Sequence, residues 1–305
     1  MEEIYRKIDE LKDEMVEVLK NLIRIEAIAP QSGGKGEWEK AEYIESLIKN
    51  FGFDKIERHD CLDPKAMHGY RPNIVAEVKG KIKEKIWLVT HMDVVPPGDL
   101  KKWNTNPFEP VVKDGKIYGR GSEDNGQDIV STIYAVKAMR SLGISPENTL
   151  GIVIGSDEET GSEKGIKYLL NKGLFKDASG VIVPDGGNAD GTLIEIAEKS
   201  IMWLKFIVEG KQSHGSMPDK GINAFKAGMR LGLELDKELY KKYKFEDKLF
   251  SPPLSTFEPT KKEENVPNIN TIPGEDIFYM DCRILPKYPV DKVFSTIEKV
   301  KKKIE

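Results

Sequence analysis

The sequence has few of the residues that mark several common classes of protein. Its 305 residues include only two cysteines and four histidines. No apolar run reaches the roughly 18 residues that a membrane span needs. The 47 basic residues are interspersed among 51 acidic ones, so the chain lacks the basic patch of a nucleic-acid-binding protein. Cys61 and Cys282 lie far apart and fit no metal-binding or redox pair, which predicts buried, reduced thiols in a cytoplasmic protein.

Glutamine is also scarce, with three residues against many lysines and glutamates, a composition typical of thermophilic proteins with surface ion-pair networks. Hydrophobic residues make up 39% of the chain, as in folded globular proteins. The length of 305 residues suits one large and one smaller domain. Acidic residues recur through the first 25 positions, which excludes a signal peptide. The apolar residues of this segment keep helical spacing, so we expect a helix with one face on the core.

The first two-thirds of the chain alternate between strand-like and helix-like segments. Strands are predicted at 73–79, 86–91, 149–155 and 180–184, and helices at 125–142 and 163–172. This alternation predicts an α/β domain with a mostly parallel sheet and helices on both faces. In such sheets, ligands bind beyond the carboxyl ends of the strands.

The pattern changes near residue 199. A strand at 200–210 precedes a helix at 222–242, two strands at 268–272 and 277–284, and a helix at 290–304. This order predicts a smaller α+β sandwich without its last strand. We therefore expect a catalytic domain over 1–197 and a second domain over 198–305, joined by a short connection.

Acidic and histidine side chains follow the predicted strands. His91 and Asp93 end one strand, Asp157, Glu158 and Glu159 follow the next, and Asp185 follows the last. Residues two apart in an extended segment share a face, so Asp93 is placed to orient a metal-bound His91. Three adjacent carboxylates repel one another unless cations compensate them. The segment predicts either a solvated acidic turn or a metal ligand beside a general base.

The glycine-rich segment from Gly119 to Gly126 permits two interpretations. It resembles a dinucleotide-binding loop, but Asp124 occupies the place of the third glycine. A carboxylate there would repel a pyrophosphate. The alternative is that Asp124 bridges two cations.

Taken in order, the segments LVTHMDVVP, GRGSEDNG, GSDEETGS and VPDGG resemble the M20 family of metallopeptidases and deacylases. That family includes acetylornithine deacetylase, succinyl-diaminopimelate desuccinylase, aminoacylases, glutamate carboxypeptidases and dipeptidases. The resemblance spans nearly the whole chain. It implies hydrolysis of the amide bond of an N-acyl amino acid or small peptide with a free carboxylate. It further implies two divalent metal ions, of zinc, cobalt or manganese.

The resemblance also implies a role for each site residue. His91 and Asp185 would bind one metal ion, Asp124 would bridge both ions, and Glu159 would bind the second. Glu158 would be the general base and Asp93 the partner of His91. The Asp124–Asn125 peptide bond is expected to be cis.

The second domain resembles the family's lid and dimerisation domain. There His214 would stabilise the oxyanion, while Asn270 and Arg283 would contact the substrate. Arg283 would pair with the carboxylate of the substrate. The resemblance implies a homodimer formed through this domain.

One feature departs from the family. Its second metal ion is completed by a histidine near the C-terminus, and the last histidine here is His214. We therefore expect the chain to be a fragment of a longer protein. A catalytically silent homologue with a binding or regulatory role is the alternative to an enzyme.

Overall fold

A computed structural model of the chain describes residues 2–188 and 190–304. The chain divides into two units, Met1–Thr192 and Leu193–Glu305. This division lies shortly before the domain boundary predicted after residue 197. Among the helices of the described residues, none has both the length and the apolar character that crossing a bilayer requires.

The first unit is built on one sheet with the strand order β1-β2-β6-β3-β7, beside a separate hairpin of β4 and β5. The strands are β1 (Lys55–Leu62), β2 (Tyr70–Val78), β3 (Ile82–His91), β4 (Val111–Lys113), β5 (Lys116–Tyr118), β6 (Asn148–Gly155) and β7 (Ala178–Ile182). The four strands predicted for this part of the sequence are therefore present as β2, β3, β6 and β7.

The sheet is mixed. β6, β3 and β7 are parallel, whereas β2 is antiparallel to both β1 and β6. The connection between β1 and β2, residues 63–69, is too short for the crossover of a dozen or more residues that joins parallel neighbours. The α/β class is confirmed, and the parallel part of the sheet lies where the predicted site residues follow the strands.

Helices pack on both faces of this sheet, as predicted. They are α1 (Glu2–Glu10), α2 (Lys12–Arg24), α3 (Trp38–Ile48), α4 (Asp128–Ser141) and α5 (Ile166–Asn171). Successive strand residues point to opposite faces: Ile74 joins the large core under α2, α3 and α4, while Val75 packs with Trp87 and Leu169 of α5. The predicted N-terminal helix is two helices, separated at Leu11, and only α2 has buried residues.

The second unit is an α+β sandwich, as predicted. Its antiparallel sheet has the order β10-β12-β8, and β9 pairs with β11. The elements are β8 (Ser200–Glu209), β9 (Ser213–His214), α6 (Ala224–Lys242), β10 (Thr256–Lys262), β11 (Thr271–Ile272), β12 (Glu275–Ile284) and α7 (Val290–Ile304). Leucines of α6 and valines of α7 pack on one face of the sheet. Cys282 lies in this core and Cys61 in the first unit; both are buried and free.

Candidate metal centre

The carboxyl ends of the three parallel strands carry the predicted ligands. β3 ends at His91, β6 ends just before Asp157–Glu159, and β7 ends shortly before Asp185. β3 lies between β6 and β7, so His91 occupies the middle of this edge. Because the ends of parallel strands meet at one edge of a sheet, the three segments converge.

Three carboxylates surround the Nε2 atom of His91. Asp124 Oδ1 lies 3.0 Å from it, Asp185 Oδ2 3.5 Å and Glu158 Oε2 4.0 Å. Ligand atoms of His91, Glu158 and Asp185 all lie within 4.8 Å of one another. Glu158, predicted as the general base, thus belongs to the cluster itself. This grouping has the size and the donor types of a metal centre.

The hydrogen bonds of the His91 ring show which nitrogen faces the cluster. Nδ1 lies 3.1 Å from the main-chain oxygen of Asp93, and because a carbonyl oxygen only accepts, Nδ1 donates. In the part of the chain that the structure describes, Nε2 is buried without a hydrogen-bond partner. An imidazole nitrogen among three carboxylates is favourable only when a proton or a metal cation lies between them. The arrangement therefore fits a metal-bound imidazole whose other nitrogen is fixed by the protein.

Asp93 has a wider role than the orientation of His91. Its Oδ1 lies 3.5 Å from Nδ1 of the ring. The same carboxylate accepts the backbone N–H groups of Glu158 and Glu159, each at 3.1 Å through a different oxygen. Asp93, which is fully buried, thereby fixes the backbone of the acidic turn against the end of β3.

The pKa values of the cluster reflect its excess of negative charge. Burial raises the pKa of Glu159 to about 7, and the charge of Asp124 adds to the rise. Burial also raises the pKa of Glu158, with Asp185 contributing in the same direction. For His91 burial alone would lower the pKa, but Asp185 and Asp93 outweigh it and raise it to about 11. A bound cation would supply the positive charge that protons otherwise provide.

Comparison with known proteins identifies the family. Residues 87–281 match the profile described as Peptidase family M20/M25/M40. The chain belongs to this family. A metallohydrolase of Methanocaldococcus jannaschii, described as uncharacterised, is 43% identical over 303 residues, covering 97% of this chain and 74% of that protein.

Two further proteins show lower sequence identity to this chain. A succinyl-diaminopimelate desuccinylase of Rickettsia bellii is 34% identical over 227 residues, covering 71% of this chain and 54% of that enzyme. The solved structure of an M20 family metallo-carboxypeptidase from Sulfolobus solfataricus has a TM-score of 0.72 at 18% identity, covering 95% of this chain and 76% of that one. The M20 resemblance and the fold that it implied are confirmed.

Two site residues escaped the sequence-based prediction, although they lie beside Asp124. Asn125 is buried; its side chain accepts the N–H of His91 and donates to Asp185 and Asp128, both at 2.8 Å. The Asp124–Asn125 peptide bond is cis, as the M20 resemblance implied. Burial raises the pKa of Asp128 to about 7, and Asp185 and Glu123 reinforce the shift. Asn125 lies in the turn Ser122–Gln127 and Asp128 directly follows it, so their nearness to Asp124 in the sequence was the available signal.

The remaining predicted residues lie in the second unit. His214 on β9 pairs with Thr271 on β11, and the N–H of Gly215 donates to the main-chain oxygen of Asn270 at 2.6 Å. The backbone N–H of Ser216 donates to Nδ1 of His214 at 3.2 Å, so the ring proton of the neutral histidine is on Nε2.

Arg283 already has a carboxylate partner. Its Nε and Nη2 donate to the two oxygens of Asp281 at 2.7 and 3.0 Å. A substrate carboxylate at Arg283 would therefore have to share or replace Asp281. The roles of His214, Asn270 and Arg283 in catalysis and binding stay predictions.

Proposed function

We propose that this protein hydrolyses the amide bond of an N-acyl amino acid or a small peptide that carries a free carboxylate. The observation that carries the proposal is the buried Nε2 atom of His91, which has oxygens of three carboxylates within 4.0 Å. Membership of a peptidase family that includes desuccinylase relatives supports the choice of amide hydrolysis.

The donor set suits two divalent metal ions of zinc, cobalt or manganese. His91 and Asp185 would hold one ion, Asp124 would bridge, and Glu159 would hold the other. When bound, such ions act as Lewis acids and lower the pKa of an adjacent water towards ~7.

Within this arrangement Glu158 would act as the general base. It would take the proton of the attacking water and deliver it to the leaving amine. Its raised pKa brings the carboxyl closer to the pH at which it can both accept and return a proton. His214 would donate its Nε2–H to the developing oxyanion, which its Nδ1 hydrogen bond to Ser216 favours. Asn270 and Arg283 would contact the substrate.

A substrate panel tests the function. N-acetyl amino acids, N-succinyl amino acids and dipeptides are incubated with the purified protein and added zinc, cobalt or manganese, and amine release is measured. We expect turnover of one of these three classes, lost on chelation and restored by metal. Turnover that survives chelation, or metal binding without turnover of any class, would contradict the proposal; the second outcome would favour a silent binding protein.

We further propose a homodimer formed through the second unit. The apolar side chains of Phe225, Met229 and Leu233 recur every fourth residue along α6 and are exposed. Gly232 lies in the same stretch, and because nothing lies within 4 Å of an added Cβ there, a second helix could approach closely. Light scattering of the eluting protein should give twice the mass of one chain, and a monomer mass at micromolar concentration would argue against this assembly.

A further inference from the structure

A buried ion cluster lies behind the acidic turn that carries Glu158 and Glu159. Arg71, in β2, is fully buried and donates through Nε to Glu37 Oε2 at 2.5 Å and through Nη2 to Glu37 Oε1. Its third nitrogen, Nη1, lies 3.4 Å from Asp157 Oδ1 and 3.5 Å from Gln31 Oε1. One guanidinium therefore connects the start of α3 to the turn that follows β6.

Asp157 needs such support because of its backbone conformation. Its φ angle is 67°, in the left-handed region that costs a non-glycine residue about 1 kcal/mol or more. The side chain is turned inward, 2% exposed, and accepts the N–H of Lys164 at 2.8 Å and of Gln31 Nε2 at 3.1 Å. Because Asp157 directly precedes Glu158, its conformation decides the direction in which the next two carboxylates leave the turn.

Arg71 carries the main positive charge of this buried ion cluster. The carboxylates of Glu37, Asp93 and Asp157 are all buried. Among the described residues, the buried cations beside them are Arg71 and Lys40. Burial lowers the pKa of Lys40 to about 8, although Asp93 and Glu37 oppose the change. A guanidinium keeps its charge at any physiological pH and bonds two carboxylates through one planar fork. Arg71 therefore supplies a positive charge to the buried carboxylates at any physiological pH.

We propose that Arg71 is a positioning residue, which by fixing Asp157 holds Glu159 in its metal-binding conformation and Glu158 in its position as general base. Arg71 does not contact the cluster around His91 Nε2; it acts through one intervening carboxylate. The kinetic part of this inference depends on the proposed amide hydrolysis. The metal-binding part does not, because it concerns only the position of the ligands.

The test is a cobalt(II) titration of the metal-free protein, followed by visible absorption, on Arg71→Lys and a matched control. Lysine keeps the positive charge but cannot bridge Glu37 and Asp157 with a planar fork. We expect cobalt affinity to fall about 10- to 100-fold, as for other residues that orient metal ligands, together with a changed absorption band. The control is Arg58→Lys; the carboxylate partners of Arg58 are Asp60 and Glu45, at 2.8 and 3.4 Å, so the cobalt spectrum should stay unchanged.

Steady-state kinetics supplies the second measurement. With a substrate that the wild-type protein turns over, Arg71→Lys should lower kcat while KM changes less than about threefold, because the loss concerns groups that act in the transition state. If the wild type turns over no substrate, the proposed hydrolysis fails, whereas the cobalt titration still tests Arg71.

Asp157→Asn keeps the inference testable if Arg71→Lys does not fold. Asparagine tolerates the left-handed conformation but removes the charge that faces Arg71. Its cobalt affinity should fall as that of Arg71→Lys does, and the double variant should lose less than the sum of the two losses, since both act through one contact. Wild-type cobalt binding in either folded single variant, even with a lower melting temperature, would overturn the inference, as would strictly additive losses.

Discussion

At the scale of single residues, environment decides what each carboxylate of the first unit does. Asp93 and Asp157 are buried, and their carboxylate oxygens accept hydrogen bonds from backbone N–H groups. Glu158 and Asp124 keep about half of their side-chain surface exposed, 49% and 55%, and can exchange protons or ligands with solvent. The carboxylates at these strand ends are therefore of two kinds: buried ones that fix the backbone, and half-exposed ones for which a chemical role is proposed.

Replacing Glu158 by glutamine should separate proton transfer from metal binding. The amide keeps an oxygen of similar position but cannot accept and return a proton. We expect kcat to fall about 10²- to 10⁴-fold, while cobalt affinity changes only a few-fold. Glu163→Gln serves as control, because Glu163 lies on the same loop, pairs with Lys167 at 2.7 Å and should be dispensable. Turnover close to that of the wild type in Glu158→Gln would remove the general-base assignment.

The sequence was sufficient to find the residues at strand ends but not their supporting partners. Period-two and period-3.6 patterns locate the end of β3, and with it His91. The partners Glu37, Arg71 and Asn125 are joined to the site by hydrogen bonds between residues 34 or more positions apart, such as Arg71–Glu37 and His91–Asn125. Such pairs leave no local pattern. An arginine followed by proline in a strand reads as an ordinary exposed residue until its burial is known.

At the scale of elements, the strands that were predicted correctly are the apolar ones. β3 and β6 are central, and their runs of β-branched and aromatic residues are typical of buried strands. β1, KIERHDCL, and β10, TFEPTKK, are edge strands rich in charged residues, and neither was predicted. Both have one side in solvent and carry too few apolar residues for a strand pattern, whereas β7 and β8, which are also edge strands, keep such a pattern and were predicted.

The contact between β3 and β6 makes a specific demand on Gly151. It is paired with Trp87, and an added Cβ would lie 2.3 Å from the indole ring. Gly151→Ala should therefore lower the free energy of unfolding by about 1–3 kcal/mol, measured by urea denaturation.

Gly180→Ala in the neighbouring strand β7 is the matched control. Nothing lies within 4 Å of its added Cβ, so the free energy of unfolding should change by less than about 0.5 kcal/mol. Equal effects of the two substitutions would show that the ring of Trp87 is not the reason for a glycine at 151.

At the scale of the whole molecule, the proposed metal ligands all belong to the first unit, since His91, Asp124, Glu159 and Asp185 lie before Leu193. Metal binding should therefore stabilise a unit of the chain that contains both the parallel strands and their covering helices. The residues proposed to contact the substrate belong to the second unit.

Removing metal should lower the melting temperature. A ligand at a hundred times its Kd stabilises the folded state by about 2.7 kcal/mol, which corresponds to roughly 5–10 °C for a unit of this size. Differential scanning calorimetry with and without a chelator measures the change. In His91→Ala the shift on adding metal should be nearly absent; a full shift in that variant would place the metal elsewhere.

The crowding of carboxylates around His91 also imposes an order on association. An edge that carries Asp124, Glu158 and Asp185 attracts cations and repels anions over several ångströms. Before any metal ion is bound, this negative field would repel a substrate that carries a free carboxylate. Bound ions would offset this negative charge, so we expect metal to bind first and the proposed substrate second. Added salt should slow the first encounter, because it screens the attraction that drives it.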